Sequence, residues 1–140
     1  MRFGPSGTHT WPDSLDVMGW HVEDDGLGVL FSRDIPSLVR EDMRPAADAF
    51  LNRYGLRRAD IAGLVCHPGG VKVLDALEEA FELAPGTMQD ARDVLREHGN
   101  MSAVTVLFVL QRMLRRGLHG RHLMSALGPG FSAGFQLLEA

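Results

Sequence analysis

The chain has 140 residues, 45% of them apolar and 23% charged, with a formal net charge of −4. That composition fits one globular domain long enough to bury a core, and the acidic balance argues against a general nucleic-acid binder. The single cysteine, Cys66, allows no internal disulfide and suggests a reducing compartment such as the cytoplasm, while "MRFGPSGTHTWP" has no apolar run of the signal-peptide kind and "AVTVLFVL" is far too short to span a bilayer.

Residues 1–14, rich in Gly, Pro, Ser and Thr, predict a flexible lead-in, with the folded domain over 15–140. "LDVMGWHV" and "LGVLFS" flank "EDDG" and predict a hairpin with an Asp-Gly turn. "RDIPSLVREDMRPAADAFLNRYG" is helical by the spacing of Leu38, Val39, Met43, Ala46, Phe50 and Tyr54, with Asp34 or Ser37 as cap, Pro36 near the start, Pro45 a possible kink and Gly55 the stop. "IAGLVCH" is a short apolar run that ends at Pro-Gly-Gly and predicts a buried strand. Helices follow over "VKVLDALEEAFEL", "MQDARDVLREHG" and "NMSAVTVLFVLQRMLRRG", the last capped by Asn100 or Ser102. "HLMSAL" and "FSAGFQLLEA" are strands around the "GPG" turn. The order of strands and helices predicts an α/β protein with a mixed sheet of about four or five strands.

Cys66 and His67 are neighbours, and a thiolate beside an imidazole is a common nucleophilic pair. Adjacent strand residues point to opposite faces, however, so adjacency here argues against a direct dyad. Cys66 reads as a small buried apolar side chain. His67 closes the strand just before "PGG", where sites in α/β proteins gather, although on the residues alone a structural histidine is the better reading. Asn100 in "HGNMSA" is explained on spacing alone by an N-cap, and "LGPGFSAG" by a hairpin turn.

Together, "CHPGGVKVLDALE", "VLREHGNMSAVTVLFVL" and "LGPGFSAGFQLL" resemble, in order and interval, the C-terminal half of type III polyketide synthases, the chalcone-synthase-like family. "GLGVLFSRDIPSLV" adds a fourth segment in register, and the resemblance runs from about Trp11 to the C-terminus. It implies a thiolase-like fold of two similar α/β halves, of which this chain is the second. It implies a Cys-His-Asn triad in which His67 is the histidine and Asn100 the asparagine. The family's cysteine belongs to the other half, expected upstream of Met1, and Cys66 does not occupy its position.

The chemistry implied is loading of an acyl group from acyl-CoA onto that cysteine and decarboxylative condensation with malonyl-CoA, both CoA thioesters being substrates and no cofactor being needed. An imidazole favours a neighbouring thiolate, and imidazole and amide N–H groups stabilise the enolate left by decarboxylation. An Asn amide donates without titrating. Gly69 and Gly70 would let the backbone approach the substrate arm, and Ser102 falls where CoA contacts are expected; Lys72, one turn into the helix, reads by default as a solvated lysine and alternatively as a partner of a CoA phosphate. Gly128, Pro129, Gly130 and Phe131 resemble the loop lining the family's cyclisation cavity. Val29 falls where plant chalcone synthases place a gatekeeping phenylalanine, so a roomier cavity is expected, and Leu127 replaces the usual aromatic residue before "GPG". A homodimer is the expected assembly. His119 and His122 have no acidic or thiol ligand at useful spacing and read as a solvated loop, with no metal site. Glu23, Asp24 and Asp25 read as a hairpin tip. The competing functions are a ketoacyl synthase of the fatty-acid pathway, which shares the fold, and a non-catalytic binding or assembly module, which the missing cysteine favours for the chain as it stands.

Overall fold

The computed structural model describes all 140 residues, Met1–Ala140. Its sheet is built on the C-terminal hairpin, β5 (Arg121–Gly128) and β6 (Ser132–Glu139), paired in antiparallel register from Arg121 opposite Glu139 to Gly128 opposite Ser132. Strand β4 (Gly63–Cys66) adds in parallel to β5, with Cys66 opposite Ser125. Strand β1 (Arg2–Thr10) adds antiparallel to the outer side of β6, giving the order β1-β6-β5-β4. The predicted hairpin, β2 (Met18–Glu23) and β3 (Gly26–Phe31), forms a separate two-stranded ribbon turning through Asp24 and Asp25.

The lead-in expected over residues 1–14 is therefore a correction: residues 2–10 are an edge strand. Pro5 lies at a bulge in the β1–β6 ladder, a position that tolerates a residue without N–H. The Gln136 amide donates to the Gly4 and Pro5 carbonyls there, at 2.8 and 3.3 Å. Local composition signals a loop at this segment, but the free edge of β6 supplies partners that no local signal records.

Helix α1 (Ile35–Asn52) buries Ile35, Val39, Met43, Ala46, Ala47, Phe50 and Leu51, one continuous stripe. It runs unbroken through Pro45, which sits on the exposed side, where water can reach the Glu41 carbonyl left without its helical donor. Asp34 holds the N-cap position without a side-chain capping bond, and Pro36 sits in the first turn. Helix α2 (Val71–Ala80) packs along α1, and Arg40–Glu79 and Arg44–Glu82 ion pairs tie the two across their exposed rims. Helices α3 (Gln89–His98) and α4 (Thr105–Arg115) pack together through Arg112, which reaches Asp93 at 2.9 Å and Glu97 at 3.0 Å. A short 3-10 turn, Ser102–Val104, leads into α4. Neither Asn100 nor Ser102 caps α4 as expected: Val104 holds that position, and Ser102 sits inside the preceding turn.

Ladder register sorts the sheet into two faces. Phe135 stacks on Phe50 of α1 at 5.4 Å, so Phe135, its partner Ser125 and the residues two on, Ala133, Leu137, Leu123 and Leu127, face α1. The opposite face carries Met124, Ala126, Gly134 and Gln136, over which Val106 of α4 leans. His122 is on that second face as well. It is a strand residue, 7% exposed, and its ring covers Gly63, which corrects the solvated loop expected for it; His119 is exposed as expected. No helix is long and apolar enough to cross a membrane.

Candidate active site

β4 and β5 are parallel, so their C-terminal ends share one edge of the sheet. His67 follows β4 there and keeps the ladder going, its N–H donating to the Ser125 carbonyl at 2.9 Å. Turning the chain at Pro68 then brings the Gly69 N–H to the His67 carbonyl at 3.1 Å. Gly70 takes extended backbone as the N-cap of α2, and a Cβ at Gly70 would meet nothing within 4 Å, so the space beside this turn is open. Lys72 is exposed in the first turn of α2 and makes no ion pair.

Cys66 and His67 part company at this point, as strand alternation predicts. Cys66 is 2% exposed, and its sulfur accepts a hydrogen bond from the Ser125 hydroxyl at 3.4 Å. Burial pushes its thiol pKa up to about 11, against the opposing influence of that hydrogen bond and of Arg58. It is a neutral thiol at physiological pH and poorly suited to nucleophilic attack. His67 is only partly buried, with its Nδ1 shielded and without a partner. Burial holds its pKa below the ordinary histidine value, which favours the neutral imidazole.

Asn100 arrives from the other direction, on the connection between α3 and α4. Gly99 ends α3 with φ 71, a left-handed conformation that suits glycine and turns the chain back toward the sheet. The Asn100 amide Nδ2 donates to the Gly69 carbonyl at 3.3 Å, and its Oδ1 accepts from the Ser102 N–H at 2.9 Å. Thus the turn after β4 and the loop before α4 meet through one side-chain bond between residues 31 apart in sequence. Ser102 has φ 62, unusual for a residue with a Cβ. Thr105, fully buried, bonds both Met101 and Ser102 and braces this loop. Spacing alone does not single out Thr105; the only sequence signal is a hydroxyl residue among apolar ones at the start of a helix.

The turn 128–131 lies beyond the end of β5, at the same edge of the sheet as His67. It is anchored from the N-terminal side: Gly130 N–H donates to the Met18 carbonyl at 2.8 Å, and Trp11 N–H to the Phe131 carbonyl at 3.2 Å. Phe131 is buried and stacks on Trp11 at 4.8 Å. Leu127 faces α1, paired with Ala133. Val29 lies on the separate β2–β3 ribbon, not on the sheet that carries His67. It is 52% exposed on the β2–β3 ribbon, opposite Trp20, among Val22, Leu27 and Phe31, all bare on the same face.

The sequence profile described as "Chalcone and stilbene synthases, C-terminal domain" matches residues 6–137. The chain is 42% identical over 123 residues to a protein named "Putative chalcone synthase" from Bacillus subtilis (strain 168), covering 86% of this chain and 34% of that protein. It is 37% identical over 136 residues to 1,3,6,8-tetrahydroxynaphthalene synthase of Streptomyces peucetius subsp. caesius, covering 94% and 36%. Among solved structures, 1,3,6,8-tetrahydroxynaphthalene synthase from Streptomyces coelicolor A3(2), a bacterial type III polyketide synthase, superposes with a TM-score of 0.88 at 27% identity, over 97% of this chain and 40% of that one. PKS-I from the brown alga Ectocarpus siliculosus superposes with a TM-score of 0.82 at 26% identity, over 96% and 38%. The chain thus spans about a third of the length of the curated relatives it matches. Its sheet and helices are the C-terminal part of a thiolase-like fold. Four sequence segments, one profile over nearly the whole chain and two superposed structures converge, and the chain belongs to the chalcone and stilbene synthase family, in that family's C-terminal domain.

Proposed function

We propose that this domain supplies the oxyanion-stabilising half of a type III polyketide synthase active site, with His67 and Asn100 acting on the malonyl-CoA thioester beside an acyl group held by a cysteine from outside the 140 residues. The observation that carries the proposal is the Asn100–Gly69 bond, which joins the His67 turn to the Asn100 loop at one sheet edge while Cys66 is sealed behind them. A malonyl-CoA arm enters beside Gly69 and Gly70. His67 and Asn100 donate N–H bonds to its thioester oxygen, the carboxylate leaves as carbon dioxide, and the resulting enolate attacks the acyl carbonyl on the external cysteine, breaking its C–S bond to release the cysteine thiolate and leave the extended chain on CoA. Lys72, exposed and unpaired at the start of α2, meets CoA phosphate, and Ser102 orders the loop under Asn100. Gly128, Pro129, Gly130 and Phe131 shape the floor of the cavity, and Val29 its entrance, on a ribbon that needs a further layer to cover it. Acyl-CoA and malonyl-CoA are the substrates; no cofactor enters the mechanism; the setting is the cytoplasm.

The test is made in the complete synthase. His67→Ala and Asn100→Ala each lower malonyl-CoA decarboxylation by about 100- to 1,000-fold, the usual cost of one oxyanion donor, with the circular dichroism spectrum unchanged. The 140-residue chain by itself, given acyl-CoA and labelled malonyl-CoA, forms no extended product. Near-normal turnover in either variant, or product from the chain alone, overturns the assignment.

The same reading extends to assembly. Val104, just before α4, and Leu107 and Leu114 on it are 42%, 51% and 39% exposed, an apolar set broken only by Gln111 where a surface helix would carry polar residues. For the chain by itself, the available cover is a second copy applied about a twofold axis. The 140-residue chain therefore self-associates through α4.

A further inference from the structure

Thr105 opens α4 with its side chain wholly buried, among neighbours that are otherwise apolar. A hydroxyl is a costly group to bury unless its oxygen is occupied, and here both of its capacities are used. Oγ1 accepts from the Met101 N–H at 2.8 Å and donates to the Ser102 carbonyl at 2.8 Å. Between these bonds the backbone takes the left-handed turn at Ser102, φ 62. Such a conformation persists at a non-glycine residue only where its surroundings over-determine it, and the Thr105 clamp is what does so.

The turn sets the direction of Asn100. With Ser102 left-handed, its N–H points back to the Asn100 Oδ1 at 2.9 Å, which fixes which end of the amide is oxygen. The other end, Nδ2, is thereby presented to the Gly69 carbonyl at 3.3 Å. One of its two N–H groups is taken by Gly69; the second remains for a ligand.

We propose that Thr105 is a positioning residue: by clamping Met101 and Ser102 it holds the Asn100 amide with its N–H groups toward the turn after His67. The catalytic consequence rests on the proposed role of Asn100, whereas the clamp itself does not. Thr105→Val keeps shape and removes the hydroxyl; Thr105→Ser keeps the hydroxyl and removes a methyl group.

The readout is the side-chain amide region of a nitrogen-15 NMR spectrum of the 140-residue chain, which has two asparagines, Asn52 and Asn100. Thr105→Val moves the Asn100 amide pair, leaves the Asn52 pair in place, and speeds hydrogen exchange at the Met101 N–H by about fivefold or more, the worth of one lost hydrogen bond. Thr105→Ser restores both signals. An Asn100 pair and a Met101 exchange rate unchanged in Thr105→Val overturn the proposal. If that variant does not fold, the native chain decides: a Met101 N–H exchanging as fast as an unstructured peptide shows that no clamp exists, and a protected one supports it. In the complete synthase, Thr105→Val lowers kcat for malonyl-CoA decarboxylation about tenfold with KM unchanged, a partial loss of one oxyanion donor. A moved Asn100 signal with unchanged kcat sinks the catalytic role of Asn100 and leaves the clamp standing.

Discussion

The two faces of the sheet are finished to different degrees. Under α1 and α2, Phe50, Leu51, Leu74, Leu123, Phe135 and Leu137 are all at most 4% exposed, and ion pairs seal the rim. On the other face, α4 covers β4 and part of β5. Beside Val106 an open depression of about 350 Å3 is left, floored by Met124, Ala126, Gly134 and Gln136. The far side of α4 and the β2–β3 ribbon stay bare. The finished face carries Leu123, Leu127, Ala133, Phe135 and Leu137, the other Met124, Ala126, Gly134 and Gln136, so the face with the larger apolar side chains is the one that its own helices close.

The largest expected contrast tests this difference directly. Leu74→Ala, on the finished face, costs about 2–5 kcal/mol of stability from lost burial and the cavity left behind, read from the urea midpoint. Leu107→Ala, on the bare side of α4, changes it by no more than about 0.5 kcal/mol when measured in dilute solution, where the chain is monomeric. Leu107→Lys removes concentration-dependent sedimentation at micromolar protein. Equal costs for Leu74→Ala and Leu107→Ala, or sedimentation of the native chain as a clean monomer, would show that α4 is already covered within one chain.

A second measurement follows the two histidines that lie off the α1 face. Burial lowers the pKa of His67, and of His122 against the opposing backbone of Gly120. The folded state thus binds protons more weakly than the unfolded chain, whose histidines titrate near 6.5. Stability is at its full value above that pH and declines as pH falls through 6.5 toward 5, because the unfolded state gains protons first. The carboxylate Glu78, bonded by Met88, Gly86 and Arg92 and held below its ordinary range despite its burial, contributes only at lower pH. A urea midpoint flat between pH 7.5 and 5 contradicts the burial of both rings.

The finished face also holds a position where a small effect is expected. Cys66→Ala costs about 1 kcal/mol, from the lost packing and the Ser125 hydroxyl left without an acceptor. In the native fold, Cys66 resists alkylation by iodoacetamide at pH 8. Rapid modification would place a thiolate where the structure has a buried thiol.

Chain-local signals in the sequence were enough for the helices, the β2–β3 ribbon and the β5–β6 hairpin, because hydrophobic period and turn residues act over a few neighbours. Strand alternation was enough to separate Cys66 from His67, and the spacing of four segments was enough for the family and for nominating His67 and Asn100. Other features depended on residues distant in the chain. Strand β1 exists because the free edge of β6 pairs with it, from 122 residues away at Thr10–Ser132 to 137 at Arg2–Glu139, despite a loop-like composition. His122 is buried because parallel pairing sets Gly63 beneath its ring. Asn100 is a side chain aimed at Gly69 rather than a helix cap, in a loop where Thr105, the first residue of α4, bonds Met101 and Ser102 on either side of the left-handed turn. Each of these turns on a hydrogen-bond partner or a packing surface brought from elsewhere, and such partners exist only once the sheet has closed.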